Sequence, residues 1–421
     1  MEDDEYWSLL SNNDLDFTLV NPNLILRHLI QFYMNHTTVG KELFLLLFLI
    51  SIVIGFRRIR RFNWVPHSVF AVLLGMTVSL MGGTSVSFAS EVFLYLMLPP
   101  ILFHSSIKFK MASLRRTWVS SILFSWVGTL MSVFFIAWGI LVWTKGTRVE
   151  MSTVDALLFA SILAPTDTVA TLSLTKMIKL DDSYILEVLE NESVMNDAIS
   201  VVLVRLFASM LESHTVLNRW VPMEVVLFSA LYSVAAIAFG GSVALIMNRA
   251  SISDMTMHYV MGLMVYAACE CVDVSGILGL FVYGSVVNVP TNVEESVGSM
   301  SLIIESCVYL MLGLALHTYD MTLIGLSLLV LLSCIVSRVI VVFALGGLLG
   351  YFGRGEWTVK SMLFFSMCGI RGAISFALCQ GLENTFIKST TFVVIVSTIV
   401  GMGILQKCMY DVLLSEHREL V

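Results

Sequence analysis

Ala164-Pro165-Thr166-Asp167-Thr168-Val169-Ala170 lies in the middle of an apolar run extending from about residue 152 to 176. A proline inside a helix removes a ladder hydrogen bond and collides with the carbonyl four residues back. In lipid such a disturbance survives only where protein or a water-filled cavity takes over the freed backbone groups. A kink would satisfy Pro165 alone; Asp167, flanked by Thr166 and Thr168, makes the segment a candidate site. A second disturbed run, residues 359 to 382, contains Cys368-Gly369-Ile370-Arg371-Gly372-Ala373-Ile374-Ser375, where two glycines and a cation again argue for unwound backbone.

On either side of these segments the chain is built for lipid. Of its 421 residues 57% are hydrophobic and 13% charged, and the mean hydropathy is +0.87, far above that of an ordinary soluble domain. Thirteen apolar stretches suit a bilayer core of about 30 Å: near 41–56, 65–81, 87–107, 117–143, 152–176, 184–211, 222–247, 256–272, 275–288, 297–317, 322–351, 359–382 and 387–411. Twelve crossings follow instead if the first stretch lies along the membrane surface. The expected fold is all-α and polytopic, with about 13 transmembrane helices. If spans one to six and eight to thirteen form inverted repeats, both interruptions fall in the fifth span of their repeat, as at a midplane ion site in a secondary transporter.

Charge and cysteine content point the same way. The net charge of −7 is divided between an acidic N-terminal segment and buried positions, and no nucleic-acid footprint is visible. Residues 1 to 35 lack the pattern of a cleaved signal peptide, so the first span is expected to insert directly and to stay. The seven cysteines lack the spacing of a disulfide framework, and Cys269 and Cys271 read as packing residues rather than a metal site. The Asn35-His36-Thr37 sequon matters only on a lumenal or exterior segment. Arg57, Arg58, Arg60 and Arg61, then Lys108, Lys110, Arg115 and Arg116, then Lys176 and Lys179, fall on one side if the spans alternate. They mark the cytoplasm, placing the N-terminus outside and the C-terminus, with Lys407 and Arg418, inside.

A charge at the bilayer centre costs at least a few kcal/mol, which makes each mid-span ionisable residue a functional candidate. These are Asp167, Glu187, Glu190, Glu192, Asp197, Arg205, Glu270, Glu305, Arg338, Arg371 and His104, with Glu91 and Asp155 near span edges. They are densest in Asn191-Glu192-Ser193-Val194-Met195-Asn196-Asp197. A helix there sets Ser193 and Asp197 about 40° apart on one face, with Glu192 and Asn196 on the neighbouring strip. Arg338 needs an acid, and Glu192 is the expected partner, leaving Asp197 to exchange ligands. Arg371 is placed to offset half-helix C-terminal dipoles in the second broken span. Glu270 reads equally as a solvated cap or a pathway residue, Glu305 has a weak claim, and Arg205 is expected to snorkel to the outer surface.

With these residues in hand, the chain resembles the cation/proton antiporters of the sodium/proton exchanger type, in their electroneutral branch. The resemblance is carried, in order, by Leu98-Pro99-Pro100-Ile101-Leu102-Phe103, Thr166-Asp167, Glu192-Ser193 with Asn196-Asp197, Ser275-Gly276-Ile277, Arg338, and Gly369 to Ser375. It implies that Asp197 is the carboxylate that binds cation and proton, preceded by Asn196 where electrogenic relatives carry a second acid, and that exchange is one for one. It implies that Thr166, Asp167 and Ser193 complete a monovalent-cation site, that Glu192 and Arg338 are a structural ion pair, and that a core bundle moves like an elevator against a dimerisation domain in a homodimer. A carrier of this kind is not an enzyme and needs no cofactor; sodium and protons are its cargo.

The sequence departs from the family pattern in three places. His104 stands where the run after Pro99-Pro100 usually ends in an acid, either a tolerated substitution at the cytoplasmic mouth or a change in pH response. Thr168 follows Asp167 where the family commonly has proline, and Pro165 precedes it, which shifts the break. Glu190 and Asn191 replace the small residues usual before the Glu-Ser pair, which bears on cation preference.

The expected organisation is a short outer segment (residues 1–40), a transmembrane exchanger domain (41–411) and a short cytoplasmic end (412–421). The ion-transport core includes 152–211 and 322–411. The expected activity is exchange of sodium, lithium or potassium for protons, serving pH and sodium homeostasis, in a multi-pass protein of the plasma membrane surrounded by lipid. The competing readings are a sodium-coupled symporter of an organic anion and a non-transporting membrane sensor or receptor. The mid-span residues offer few spare cations for the first, and the intact Asp167, Ser193 and Asp197 set argues against the second. No filter segment suggests a channel.

Overall fold

The computed structural model describes residues 44–56, 66–81, 93–109, 111–167, 184–212, 221–250, 254–272, 274–319, 322–353, 355, 357–382, 384–402 and 405. The chain forms two compact units, Met1–Leu49 and Ile50–Val421. The first is represented by residues 44–49, the opening turns of helix α1 (Phe44–Phe56). The second holds a helical bundle: α2 (His67–Leu80), α3 (Leu98–Lys108) after a π-helical turn, α4 (Met111–Ile122) running through a π-helical stretch into α5 (Thr129–Thr144), and α6 (Thr153–Leu163). There follow α7 (Tyr184–Glu212), α8 (Val221–Ala250), α9 (Met255–Cys271), α10 (Gly276–Val286), α11 (Thr291–Leu314), α12 (Ile324–Tyr351), α13 (Val359–Met367), α14 (Ala373–Gln380) and α15 (Thr385–Ser397). The N-terminal segment with its sequon, the Arg57–Arg61 cluster, Glu91, Thr168, Lys176, Lys179, Asp273 and the C-terminal end lie outside the described residues.

Among the described residues six helical rods are long and apolar enough to cross a bilayer: Arg116–Thr144, Tyr184–Leu211, Leu231–Ala250, Thr291–Leu314, Ile324–Tyr351 and Thr385–Met402. Their side chains are sorted in the opposite sense to a water-soluble helix. On α12 Leu328, Leu332, Val336 and Ile340 project outward at four-residue spacing, while Ser327, Ser337 and Arg338 face inward. Along the rod that ends in α5, Trp126, Leu130, Phe134 and Trp138 are exposed, and Ser125, Thr129 and Ser132 are buried. Four-residue spacing keeps side chains on one helical stripe. An apolar stripe turned outward and hydroxyls turned inward suit a hydrocarbon solvent, where polar groups must find partners within the protein.

Both expected interruptions are present. α6 starts on a capping box in which the Ser152 hydroxyl accepts from the Asp155 amide while the Asp155 carboxylate accepts from the Ser152 amide. Asp155 is therefore a helix-starting group rather than a transport residue. α6 is 11 residues long, about 16 Å at 1.5 Å per residue, and residues 164–167 follow as irregular backbone. α13 also starts on a capping box, Thr358 with Ser361, and is 9 residues long, about 14 Å. Each half-helix is about half as long as a hydrocarbon core near 30 Å is thick.

The broken segments are held between longer helices. α5 and α7 pack on α6, α12 packs on α5, α13 and α15, and α2 packs along α11. The α2–α11 crossing is backbone on backbone: a Cβ on Gly75 would stand 2.4 Å from the Leu310 carbonyl, and one on Gly313 would stand 2.3 Å from that of Val72. Close approach through small residues is how helices associate in lipid, where no hydrophobic drive separates helix from solvent.

Candidate ion site

The two breaks are tied to each other. The Asp167 amide donates to the Ile370 carbonyl at 2.7 Å. The Arg371 guanidinium donates through Nη1 to the carbonyls of Ala164 and, at 3.2 Å, Pro165. The Ala164 carbonyl is among those that a helix ending at Leu163 leaves without intrahelical partners, the Pro165 carbonyl belongs to the irregular backbone just after it, and a cation there also opposes the helix dipole. Arg371 thus offsets a half-helix C-terminus as expected, but that of the first broken span rather than its own. The Arg371 amide is fixed in turn by the Thr398 hydroxyl at 3.1 Å. Gly372 permits the crossing, since a Cβ there would lie 2.2 Å from Asp167 Oδ2.

Helix α7 distributes its polar residues over its faces. Glu192 meets Arg338 of α12 in a bidentate pair, one arm through Nη1 and the other from Nη2 to Oε2 at 2.9 Å. The guanidinium also lies 5.0 Å from the Phe365 ring centre. Asn191 donates to the hydroxyls of Thr117 at 2.9 Å and Ser121 at 3.2 Å. Asn196 donates to the Thr166 hydroxyl at 2.8 Å, tying α7 to the first break. Ser193 Oγ donates to the Glu190 carbonyl at 3.2 Å.

A cavity of about 640 Å³, its open mouth included, gathers the site. Asp167, Ser193 and Asp197 line it together with Pro165, the Gly372–Ser375 start of α14, and Leu98, Ile101, Leu102 and Ser105 of α3. Val194 of α7 and Glu305 and Tyr309 of α11 complete the wall. Two carboxylates and a hydroxyl facing one space make a hard oxygen set suited to an alkali cation or a proton. Thr166, expected to complete the ion site, and Asn196, expected beside the carrier carboxylate, do not line the cavity and are bonded to each other. His104 is not on the cavity wall; its ring packs on α11, with Nε2 2.9 Å from where a Gly298 Cβ would be.

Two wall residues escaped the sequence reading. Tyr309 donates its hydroxyl to Asp167 Oδ2. The Ser375 hydroxyl is buried and has no hydrogen-bond partner among the described residues. Neither carries a charge, so a search for misplaced charges passes over both; the one signal was Ser375's position at the end of the glycine-containing break. Glu305 gains weight, accepting from Ser301 at 2.8 Å and lying 3.9 Å from His67 Nε2.

Arg205, Glu270 and Glu187 have structural partners. Arg205 pairs with Glu270 Oε2, so its head is held there even though 41% of the side chain is exposed. Glu270 Oε1 accepts from the Gly276 amide at 2.9 Å, which resolves the choice between cap and pathway toward a cap on α10. Glu187 lies 3.6 Å from Arg116. Cys269 is buried in the core formed with α10, as expected of a packing residue, whereas Cys271, at the end of α9, is exposed and does not pack there.

The profile of the family described as sodium/hydrogen exchanger, transmembrane, matches residues 44–415. The chain is similar to sodium/hydrogen exchanger 8 of Mus musculus, 26% identical over 411 residues that cover 85% of this chain and 69% of the relative. It is also similar to sodium/hydrogen exchanger 1 of Dictyostelium discoideum, 25% identical over 386 residues, covering 81% of this chain and 55% of the relative. In fold it resembles the sodium proton antiporter MjNhaP1 from Methanocaldococcus jannaschii, with a TM-score of 0.67, 16% identity, and coverage of 90% of this chain and 99% of that one.

Proposed function

The chain belongs to the sodium/hydrogen exchanger family, and from that membership we propose that it exchanges one sodium ion for one proton by moving a core bundle between two facing states. The observation that supports this most directly is the convergence of Asp167, Ser193 and Asp197 on one cavity beside the crossed breaks. Asp197 is the carrier: its carboxylate holds either a proton or a cation, and each displaces the other. Asn196, committed to Thr166 at 2.8 Å, is neutral, so one carboxylate titrates per cycle at that position and the exchange is electroneutral. Asp167 and Ser193 complete the cation's shell, with Thr166 and Asn196 fixing the break on which Asp167 is carried.

Coupling follows if the core moves only when the site is occupied, for then each passage carries one ion and no ATP is needed. The Glu192–Arg338 pair and Arg371 hold the core rigid through the movement. The cavity wall divides along the same line: Asp167, Ser193, Asp197 and the start of α14 belong to the core, residues 152–211 and 322–411, whereas the α3 and α11 residues belong to the dimerisation bundle of a homodimer. We place the protein in the plasma membrane with its N-terminus outside, where it serves pH and sodium homeostasis.

The test is cation-driven pH change in proteoliposomes, with sodium, lithium and potassium compared for the native chain and Asp197→Asn. Sodium-driven proton movement by the native chain alone supports the proposal. Persistent exchange by a folded Asp197→Asn protein removes Asp197 as the carrier, and no response from the native chain to any cation favours a sensor.

A further inference from the structure

The cavity contains a contact between the moving core and the static bundle of the proposed exchanger that the exchange scheme does not use. Tyr309 is 2% exposed and donates its phenol hydroxyl to Asp167 Oδ2. Its helix, α11, lies outside residues 152–211 and 322–411. It is fastened instead to α2, by the glycine crossing at Gly75 and Gly313 and by the Ser79 hydroxyl, which donates to the Leu314 carbonyl at 3.1 Å. The His67 ring of α2 meets the Tyr309 ring edge-on, with centroids 6.5 Å apart. Four residues before Tyr309, on the same face of α11, Glu305 lines the same cavity. The α2–α11 pair therefore presents the hydroxyl from a firm support.

Asp167 is held from the other side by the hydrogen bond that its amide donates to the Ile370 carbonyl, and its carboxylate lies close against Gly372. A carboxylate oxygen that accepts from a buried donor is a poorer cation ligand until that donor is turned away, because the two compete for the same electron density.

We propose that Tyr309 is a positioning residue that competes with sodium for Asp167: its hydroxyl holds Oδ2 in the cation-free site, fastening the core to the α2–α11 pair, and lets go when sodium takes the carboxylate. This inference rests on the exchanger function proposed above. Removing the hydroxyl frees Asp167 for sodium, so the apparent KM falls. It also removes a tie that orients the cation-free core, so the maximum rate falls with it. A purely structural tyrosine would lower the rate or the yield and leave KM alone.

The experiment is a sodium titration of exchange in proteoliposomes for the native chain and Tyr309→Phe. It is paired with the sodium concentration that gives half-maximal thermal stabilisation of each protein in detergent, which reads binding without transport. Both midpoints are expected to fall about tenfold, the size of one hydrogen bond to a charged group. Unchanged midpoints in a folded Tyr309→Phe protein overturn the inference, and raised midpoints overturn it by making the phenol oxygen a cation ligand. If Tyr309→Phe does not fold, Tyr309→Met, an apolar filler without a hydroxyl, is read against the same midpoints. Absence of exchange by the native chain overturns the exchanger function and this inference together, whereas native exchange with unchanged midpoints in the variant overturns the inference alone.

Discussion

Arg338→Met is the perturbation whose cost the structure fixes most closely. The Arg338 and Glu192 side chains are 6% and 3% exposed, and two parallel hydrogen bonds join them. Removing the arginine strands a carboxylate where water cannot solvate it, and breaking a buried pair from one side costs about 3–5 kcal/mol. The stacking on Phe365 at 5.0 Å is lost as well, worth about 0.5–2 kcal/mol. At roughly 2–4 °C per kcal/mol for a chain of a few hundred residues, the single variant should unfold about 10 °C below the native protein in a thermal series read by size-exclusion fluorescence in detergent. The companion experiment is Glu192→Leu with Arg338→Met, which removes both charges. Apolar replacement of a whole buried pair is often neutral within about 1–2 kcal/mol, so the double variant should recover most of the loss. A double variant as unstable as the single one would place the cost in lost packing and not in a stranded charge.

Arg205→Ala provides the contrast. Its partner Glu270 keeps the Gly276 amide, and the arginine is 41% exposed, so the loss should stay below about 1 kcal/mol, a shift of a few degrees at most in the same assay. Gly372→Ala should abolish exchange, because the new methyl would sit 2.2 Å from Asp167 Oδ2 and must push the carboxylate from the cavity; near-native exchange by this variant would show that Asp167 does not need its present position.

The residues read most directly from the sequence were those whose presence in an apolar run is itself costly. Asp167, Asp197, Glu192, Arg338 and Arg371 stood out because an ionised group in hydrocarbon must be paired, solvated in a cavity or functional. Pro165 and the glycines around Arg371 marked the breaks because backbone propensity is local. The Glu192–Arg338 pairing was also legible, since so few buried charges left few ways to neutralise them.

Which groups meet across helices was a different matter. Arg371 serves the carbonyls of Ala164 and Pro165, some 200 positions earlier, because the two breaks meet in the fold, and only that meeting brings the carbonyl end within reach. Thr166 and Asn196 form a bond behind the cavity wall instead of facing it, a matter of how α7 is rotated against α6. Tyr309 and Ser375 carry no charge, so nothing in an apolar span singles them out until the α2–α11 crossing and the start of α14 place them on the cavity that Asp167 and Asp197 line. That charge must be sheltered in this membrane protein, and roughly where the helices break to shelter it, could be read from the order of the amino acids, because burial costs and backbone propensities act residue by residue. The tertiary structure alone decided which oxygen faces which donor, because helix rotation and crossing are set by packing summed over the whole bundle.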